Sequence, residues 1–230
     1  MLTLPWLDDE DLSFPPVSEA LAEPNGLLAA GGDLRPERLL TGYCQGIFPW
    51  FEEGQPPLWW SPSPRMVLFP EELHIPKSLR KTINKGIYRV TTNQCFEAVM
   101  RGCAEPRRDT ANTWISEAMI QAYCQLHRLG YAHSIEAWAD GELAGGFYGI
   151  RLDRVFFGES MFARRADASK VAFVTGVQSL MMQGCRLIDC QVHTDHLDRF
   201  GGREIERSQF CNLLINYIEN IDPQPNWQLD

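Results

Sequence analysis

Apolar positions along this chain change their spacing near Thr113. Beyond that point Met119, Ile120, Tyr123, Leu126 and Leu129 recur at the 3.6-residue period, Ser116 stands where a cap belongs and Gly130 follows, which predicts a helix. Apolar runs then continue over His133 to Ala139, Glu142 to Arg151 and Val155 to Gly158. The breaks at Asp140-Gly141 and Leu152-Asp153-Arg154 predict a three-stranded antiparallel meander. Asp167 or Ser169 opens an apolar helix that runs to Gln183, Leu187 to Cys190 reads as a short buried strand, and Phe210, Leu213, Leu214 and Tyr217 mark a last helix over 209–220.

The pattern before Thr113 is less regular. Residues 1–34 hold Pro5, Pro15, Pro16 and Pro24 with turn-rich strings, which predicts a wrapped segment with little regular structure. Asp33 is placed to cap a short helix with Pro36 in its first turn. The strings Gly46-Ile-Phe-Pro-Trp-Phe51 and Leu58-Trp-Trp-Ser-Pro-Ser-Pro64 follow. Pro56, Pro57, Pro62 and Pro64 argue against a central strand and put Trp50, Trp59 and Trp60 on a stiff loop. Arg65 to Phe69 and Ile87 to Thr92 read as strands, Lys77 to Lys85 as a short helix, Asn93 as the cap of a further helix, and 105–112 as a charged turn.

Composition adds a packed core and a charge asymmetry. Hydrophobic residues make up 44% of the 230-residue chain, enough for one large domain or two small ones. No run approaches the ~20 apolar residues that span a bilayer, and the first residues carry acids where a signal peptide carries Lys or Arg, so a cytoplasmic protein without a membrane partner is expected. The 7 cysteines include no C-x-x-C pair, which favours a reduced compartment without structural zinc. The net charge is −9, yet the segment from Lys77 to Arg108 is rich in Lys and Arg with only Glu97 and Glu105 opposing them. Lys77, Arg80 and Lys81 share one helix face with no acid to pair with, and together with Lys85 they are read as a phosphate-binding face.

Candidate chemistry concentrates late in the chain. In Gly158-Glu159-Ser160 an acid and a hydroxyl follow a glycine directly at the end of an aromatic run. Asp189 and Gln191 flank Cys190, and strand alternation turns both to one face. Two readings stay open for this trio: a catalytic group in which a carboxylate fixes an amide whose carbonyl receives an amine, or a buried hydrogen-bond network. Trp114 is either a staple onto the helix after it or a wall of the site. His193, Asp195 and His196 lack a further ligand at metal-binding spacing. The order helix, three-strand meander, helix, strand, helix is that of the N-acyltransferase fold that uses acetyl coenzyme A. The glycine-free turn Phe162 to Lys170 nevertheless argues against that coenzyme, because pyrophosphate is cradled on a glycine-rich helix start. A coenzyme A-dependent N-acetyltransferase and a non-catalytic tRNA-binding module remain the alternatives.

The strings Glu23 to Asp33, Gly46 to Phe51, Trp59 to Pro62, Pro64-Arg65, Thr113-Trp-Ile115, His133 to Glu136, Phe157 to Phe162, Ala168-Ser-Lys170 and Leu187 to Gln191 resemble those of the bacterial leucyl/phenylalanyl-tRNA–protein transferases, in the same order. The resemblance implies an α+β protein: a small N-terminal α/β domain, then a C-terminal acetyltransferase-like domain with a mixed, largely antiparallel sheet flanked by helices. The divisions expected are 1–62 for the wrapped segment and aromatic loop, 63–112 for the rest of the N-terminal domain, and 113–230 for the catalytic domain. It implies transfer of Leu or Phe, and possibly Met, from aminoacyl-tRNA to an N-terminal Arg or Lys of a protein, without a cofactor or metal, by a monomer. Carried onto this chain, Asp189 and Gln191 are the catalytic pair and Glu159 and Ser160 contact substrate. Trp50 and Trp114 hold the terminal adenosine with Tyr43 nearby, Phe147 and Phe156 line the side-chain pocket, and Lys77, Arg80, Lys81 and Lys85 meet the acceptor stem. Gly176 departs from the pattern where a bulky pocket residue is expected.

Overall fold

In the computed structural model, residues 4–106, 113–224 and 227–229 are described. The charged turn expected over 105–112 lies outside the described residues from Arg107 onward.

The first 60 residues are more ordered than their prolines suggest. Strands β1 (Trp6–Leu7), β2 (Leu27–Gly31), β3 (Phe48–Pro49) and β4 (Leu58–Trp60), with helix α1 (Pro36–Cys44), form a four-stranded sheet in the order β1-β2-β4-β3. Strand β1 runs parallel to β2, and the other pairs are antiparallel. Two expectations are therefore corrected: the wrapped segment contributes strands, and the aromatic loop contains an interior one. The reason is spacing, since β4 fits between Pro57 and Pro62 and no ladder hydrogen bond is lost to proline. Trp59 on β4 is buried and its indole N–H donates to the Gly31 carbonyl at 2.9 Å. Buried Arg38 donates to the carbonyls of Asp8, Asp9 and Asp11, which ties the acidic leading strap to α1. Asp33 does not cap α1; its carboxylate accepts from the backbone and side chain of Arg35 instead.

The second sheet gathers strands from both sides of Thr113. It contains β5 (Arg65–Leu68), β6 (Arg89–Thr92), β7 (Ala132–Ala139), β8 (Glu142–Leu152), β9 (Val155–Ala163), β10 (Leu187–Gln191) and β11 (Arg203–Ile205), in the order β11-β5-β10-β9-β8-β7-β6. Residues 63–112, expected to complete the N-terminal unit, thus supply two strands to this sheet. Among the described residues of this sheet, only β9 and β10 pair in parallel. Helices α2 (Lys77–Asn84), α3 (Phe96–Ala104), α4 (Glu117–Arg128), α5 (Ala168–Met182), α6 (Asp195–Asp198) and α7 (Arg207–Tyr217) complete the chain, so the expected order of α4, meander, α5, β10 and a closing helix is present. Ser116 caps α4 by accepting from the Met119 N–H. Asn93 does not cap α3; at positive φ, it accepts from the Ser134 N–H and so pins β7.

Alternation decides what each face of this sheet buries. Tyr148 and Phe157 pack with Phe96, Val99 and Tyr123 beneath α3 and α4, whereas their neighbours Phe147 and Phe156 pack with Val171, Val174 and Val177 beneath α5. This is an α+β architecture with a mixed, mostly antiparallel sheet between helical layers.

Candidate active site

Two bulges, one on β9 and one on β10, create the site. Tyr148 pairs with Ser160 and Gly149 with Gly158, so Glu159 is the extra residue of β9. Asp189 pairs with Val67 and Gln191 with Met66, so Cys190 is the extra residue of β10. A bulge bends its strand and redirects the side chains beside it. Parallel pairing between the two strands stops at Phe157 and Asp189, and beyond that level they diverge around a cavity. The convergence expected from alternation is real, but the bulges produce it: Gln191 sits at φ 56°.

Gln191 is held at two points. Its backbone N–H donates to Asp189 Oδ1 at 3.0 Å and its Nε2 donates to Glu159 Oε1 at 3.2 Å. The left-handed backbone costs about 1–3 kcal/mol for a non-glycine residue, and these contacts offset that cost. With Nε2 committed, the amide carbonyl oxygen is the end left to receive a donor.

Asp189 and its partner are fully buried. Arg65, at the start of β5, donates from Nε to Asp189 Oδ1 at 2.8 Å and from its NH2 to Oδ2 at 2.7 Å, a forked pair. The remaining NH1 donates to the Gly46 carbonyl at 3.0 Å, and Phe48 and Phe210 stand over the guanidinium at 4.8 and 4.5 Å. Asp189 is therefore a compensated carboxylate that orients, and not a free base.

Glu159 is surrounded by donors, and among the described residues no cation pairs with it directly. The Tyr43 hydroxyl lies 2.7 Å from Oε1, the Tyr123 hydroxyl lies 3.2 Å from Oε2, and the two hydroxyls are in contact with each other, so with one proton apiece the phenols complete all three hydrogen bonds only when the Glu159 carboxyl carries a proton of its own. Burial pushes the carboxyl up to about 7, against the lowering effect of the two tyrosines, with Asp189 adding to the rise. Burial, reinforced by Glu159, also holds both phenols well above their ordinary value. A carboxylate that changes charge near neutral pH, at the edge of a cavity, is suited to bind an amine.

Two cavities meet at this polar edge. The larger, of about 390 Å³, is lined by Phe147, Phe156, Phe173, Met161 and Ile188, with Glu159, Ser160, Asp189 and Gln191 at its polar side. The smaller, of about 130 Å³, lies between Phe48, Pro49, Trp50 and Trp114. Trp114, Glu159, Gln191 and Val192 line both. Trp50 is 43% exposed, its carbonyl accepts from the Trp60 indole, and it offers an open ring.

Glycines fix the larger cavity. A Cβ on Gly176 would come within 2.8 Å of the Phe147 ring, and one on Gly149 within 2.6 Å of the Phe156 ring. The departure at Gly176 is thus explained locally: Phe147 fills the space that a larger residue there would take.

The structure brings together Asp189, Gln191, Glu159, Ser160, Phe147, Phe156, Trp50 and Trp114. Tyr43 is fully buried and reaches the site only through Glu159, not as a ring beside a base. Lys77, Arg80 and Lys81 on α2 and Lys85 at its C-terminal cap are exposed, and among the described residues none of them forms a salt bridge. Sequence reasoning assigned no role to Arg65, Tyr123 or Phe173. A lone charge opening an apolar strand was the available signal for Arg65, while Tyr123 and Phe173 were indistinguishable from core positions. His196 belongs to the wall of the larger cavity, and Thr194 caps α6 by accepting from the Leu197 N–H. Helix α5 opens at Asp167 with Lys170 paired to its carboxylate, and no glycine-rich turn precedes it.

Residues 67–215 match the leucyl/phenylalanyl-tRNA protein transferase model and residues 32–63 match the N-terminal domain model of the same family. The chain is 54% identical over 224 residues to the leucyl/phenylalanyl-tRNA–protein transferase of Chromobacterium violaceum, covering 97% of this chain and 96% of the relative. It is 59% identical over 221 residues to that of Nitrosomonas europaea, covering 96% and 93%. Among solved structures, L-PGS from Bacillus licheniformis superposes loosely, with a TM-score of 0.44 at 10% identity over 84% of this chain and 73% of that one. By sequence along nearly its whole length, the chain belongs to the leucyl/phenylalanyl-tRNA protein transferase family.

Proposed function

We propose that this protein moves Leu or Phe, with Met as a further donor, from aminoacyl-tRNA to the N-terminal Arg or Lys of a protein, and that the junction of the two cavities is where the peptide bond forms. The observation that carries this reading is the Gln191 amide, fixed through Nε2 by Glu159 and through its backbone by Asp189, between an apolar pocket and a tryptophan-lined cleft.

The chemistry asks little of the protein beyond placement. An aminoacyl ester is already activated, and an N-terminal amine with a pKa near ~8 is partly neutral at cellular pH. The amine nitrogen attacks the ester carbonyl carbon, the C–N bond forms, the bond to the ribose oxygen breaks, and that oxygen leaves with the proton the amine gives up. The Gln191 carbonyl accepts a hydrogen bond from the amine and aims its lone pair. Effective molarities of ~10⁵ M or more are available from such alignment. Glu159 takes an amino group, on the donor residue or at the acceptor terminus. The apolar cavity takes the donor side chain: Leu, Phe and Met differ by too few contacts for sharp discrimination, whereas a charged side chain would pay its desolvation cost there. Trp50 and Trp114 stack the terminal adenosine, and the α2 cations meet the acceptor stem. The product carries a new N-terminal residue that marks it for degradation, and the reaction fits a cytoplasmic monomer. Among the described residues no helix is long and apolar enough to cross a membrane.

The test supplies labelled leucyl-tRNA with two peptides differing only in a first residue of Arg or Glu. Label on the Arg peptide alone is expected. Equal labelling of both, or of neither, contradicts the proposal.

A further inference from the structure

Trp50 follows β3 of the first sheet and Gln191 ends β10 of the second, yet one buried side chain touches the support of each. Arg65 grips Asp189 with Nε and one NH2, and Asp189 in turn receives the Gln191 N–H. With its other NH1 the same guanidinium holds the carbonyl of Gly46, four residues before Trp50, and its face packs on Phe48 in the intervening strand. Phe210 of α7 closes the opposite side, and the approach requires glycine: Gly46 has φ 77°, and a Cβ there would stand 2.9 Å from the Phe210 ring. Every nitrogen of the guanidinium is therefore engaged, and the residue is 1% exposed.

We infer that Arg65 is a positioning residue that couples the donor end of the site, at Trp50, to the amine-receiving end, at Gln191. This rests on the donor and acceptor roles proposed above. A planar fork with five donors in fixed directions can satisfy Asp189 and Gly46 at once, whereas an ammonium is a point charge that satisfies one or the other. Lysine therefore keeps the charge and loses the coupling. In Arg65→Lys the loop over 46–50 and the strand end over 189–191 should loosen together, even though neither is mutated.

The experiment compares Arg65→Lys with the unaltered protein in hydrogen exchange and in steady-state transfer. Faster exchange is expected in both 46–50 and 187–191, with the amides of α4 unchanged. In transfer, kcat should fall about tenfold or more, and KM for leucyl-tRNA should rise while KM for the Arg peptide stays within about twofold. A merely structural role would lower the active fraction, and with it kcat, but leave both KM values alone. Exchange that rises in only one segment or in neither overturns the coupling, whatever the transfer assay shows. Loss of transfer already in the unaltered protein overturns the proposed function instead. A double variant adding Asp189→Asn is the second check: no further loss beyond the worse single variant is expected, and simple multiplication of the two losses contradicts a shared role.

Discussion

Gln191 Nε2 donates to Glu159 Oε1 at 3.2 Å, and that single bond settles which end of the amide faces the cavity junction. A flipped amide would set a carbonyl oxygen against a carboxylate and present N–H groups to an incoming amine. Glu159 thus sets the polarity of Gln191, while Asp189 fixes its backbone.

The elevated Glu159 carboxyl makes stability pH-dependent. Its folded value of about 7 lies above the ordinary carboxyl value of 4.5, so the folded state holds the proton more tightly. The associated stability is fully present below about pH 4.5 and is lost as pH rises through 7. Glu159→Gln removes this loss. The thermal midpoint of the variant should fall less than that of the unaltered protein between pH 5 and 8, by a difference worth on the order of 1–2 kcal/mol after allowing for solvent at the cavity edge. Parallel midpoint curves would contradict the assignment. The acid limb of the transfer rate near pH 7 should also flatten in the variant.

Gly176 and Phe147 behave as one unit. Gly176→Ala places a methyl group 2.8 Å from the Phe147 ring and should destabilise the fold by about 1–3 kcal/mol while altering the ratio of Leu to Phe transferred. Adding Phe147→Leu should recover most of that loss. Denaturant melts and a competition between the two aminoacyl-tRNAs check both statements, and additive destabilisation would count against the pairing.

Neighbouring tryptophans should respond in opposite ways. Trp50→Ala should raise KM for leucyl-tRNA by the ~1–3 kcal/mol of a lost stacking platform and leave the melting temperature nearly unchanged. Trp59→Ala removes a fully buried, hydrogen-bonded ring and should cost about 3–5 kcal/mol of stability. A Trp50 variant with unchanged KM would remove that ring from the donor site.

The α2 cations should act through charge alone. Lys77→Glu with Lys81→Glu is expected to weaken tRNA binding and to make log Kd less steep against log salt, by roughly the number of phosphate contacts removed. An unchanged slope, measured by titration at several salt concentrations, would place the acceptor stem elsewhere.

The parts of this molecule legible in the sequence are those whose causes are local. The period of Met119 to Leu129 with its Ser116 cap gave α4, and the breaks at Asp140-Gly141 and Asp153 gave the meander. The first sheet was missed because three of its four strands have only two or three residues and carry no period, and the prolines read as exclusion although Pro57 and Pro62 flank β4 and Pro49 sits on the edge strand β3. In the site, Asp189, Gln191 and Glu159 were found from their strings, yet the bulges that aim them leave no local mark. The Arg65–Asp189 pair spans 124 residues, and its two ends meet only because β5 and β10 are neighbours in the sheet. The trio forms the hydrogen-bonded network that one of its two readings expects, and the catalytic reading stands as the proposal.

The most direct measurement is the single-turnover rate of leucine transfer from leucyl-tRNA to an Arg-leading peptide, for the unaltered protein and for Gln191→Ala side by side. With Gln191 as the group that receives the amine, the variant should bind both substrates within about threefold of the unaltered protein and transfer about a hundredfold more slowly. Equal rates in the two proteins would contradict the assignment of the reaction to this amide.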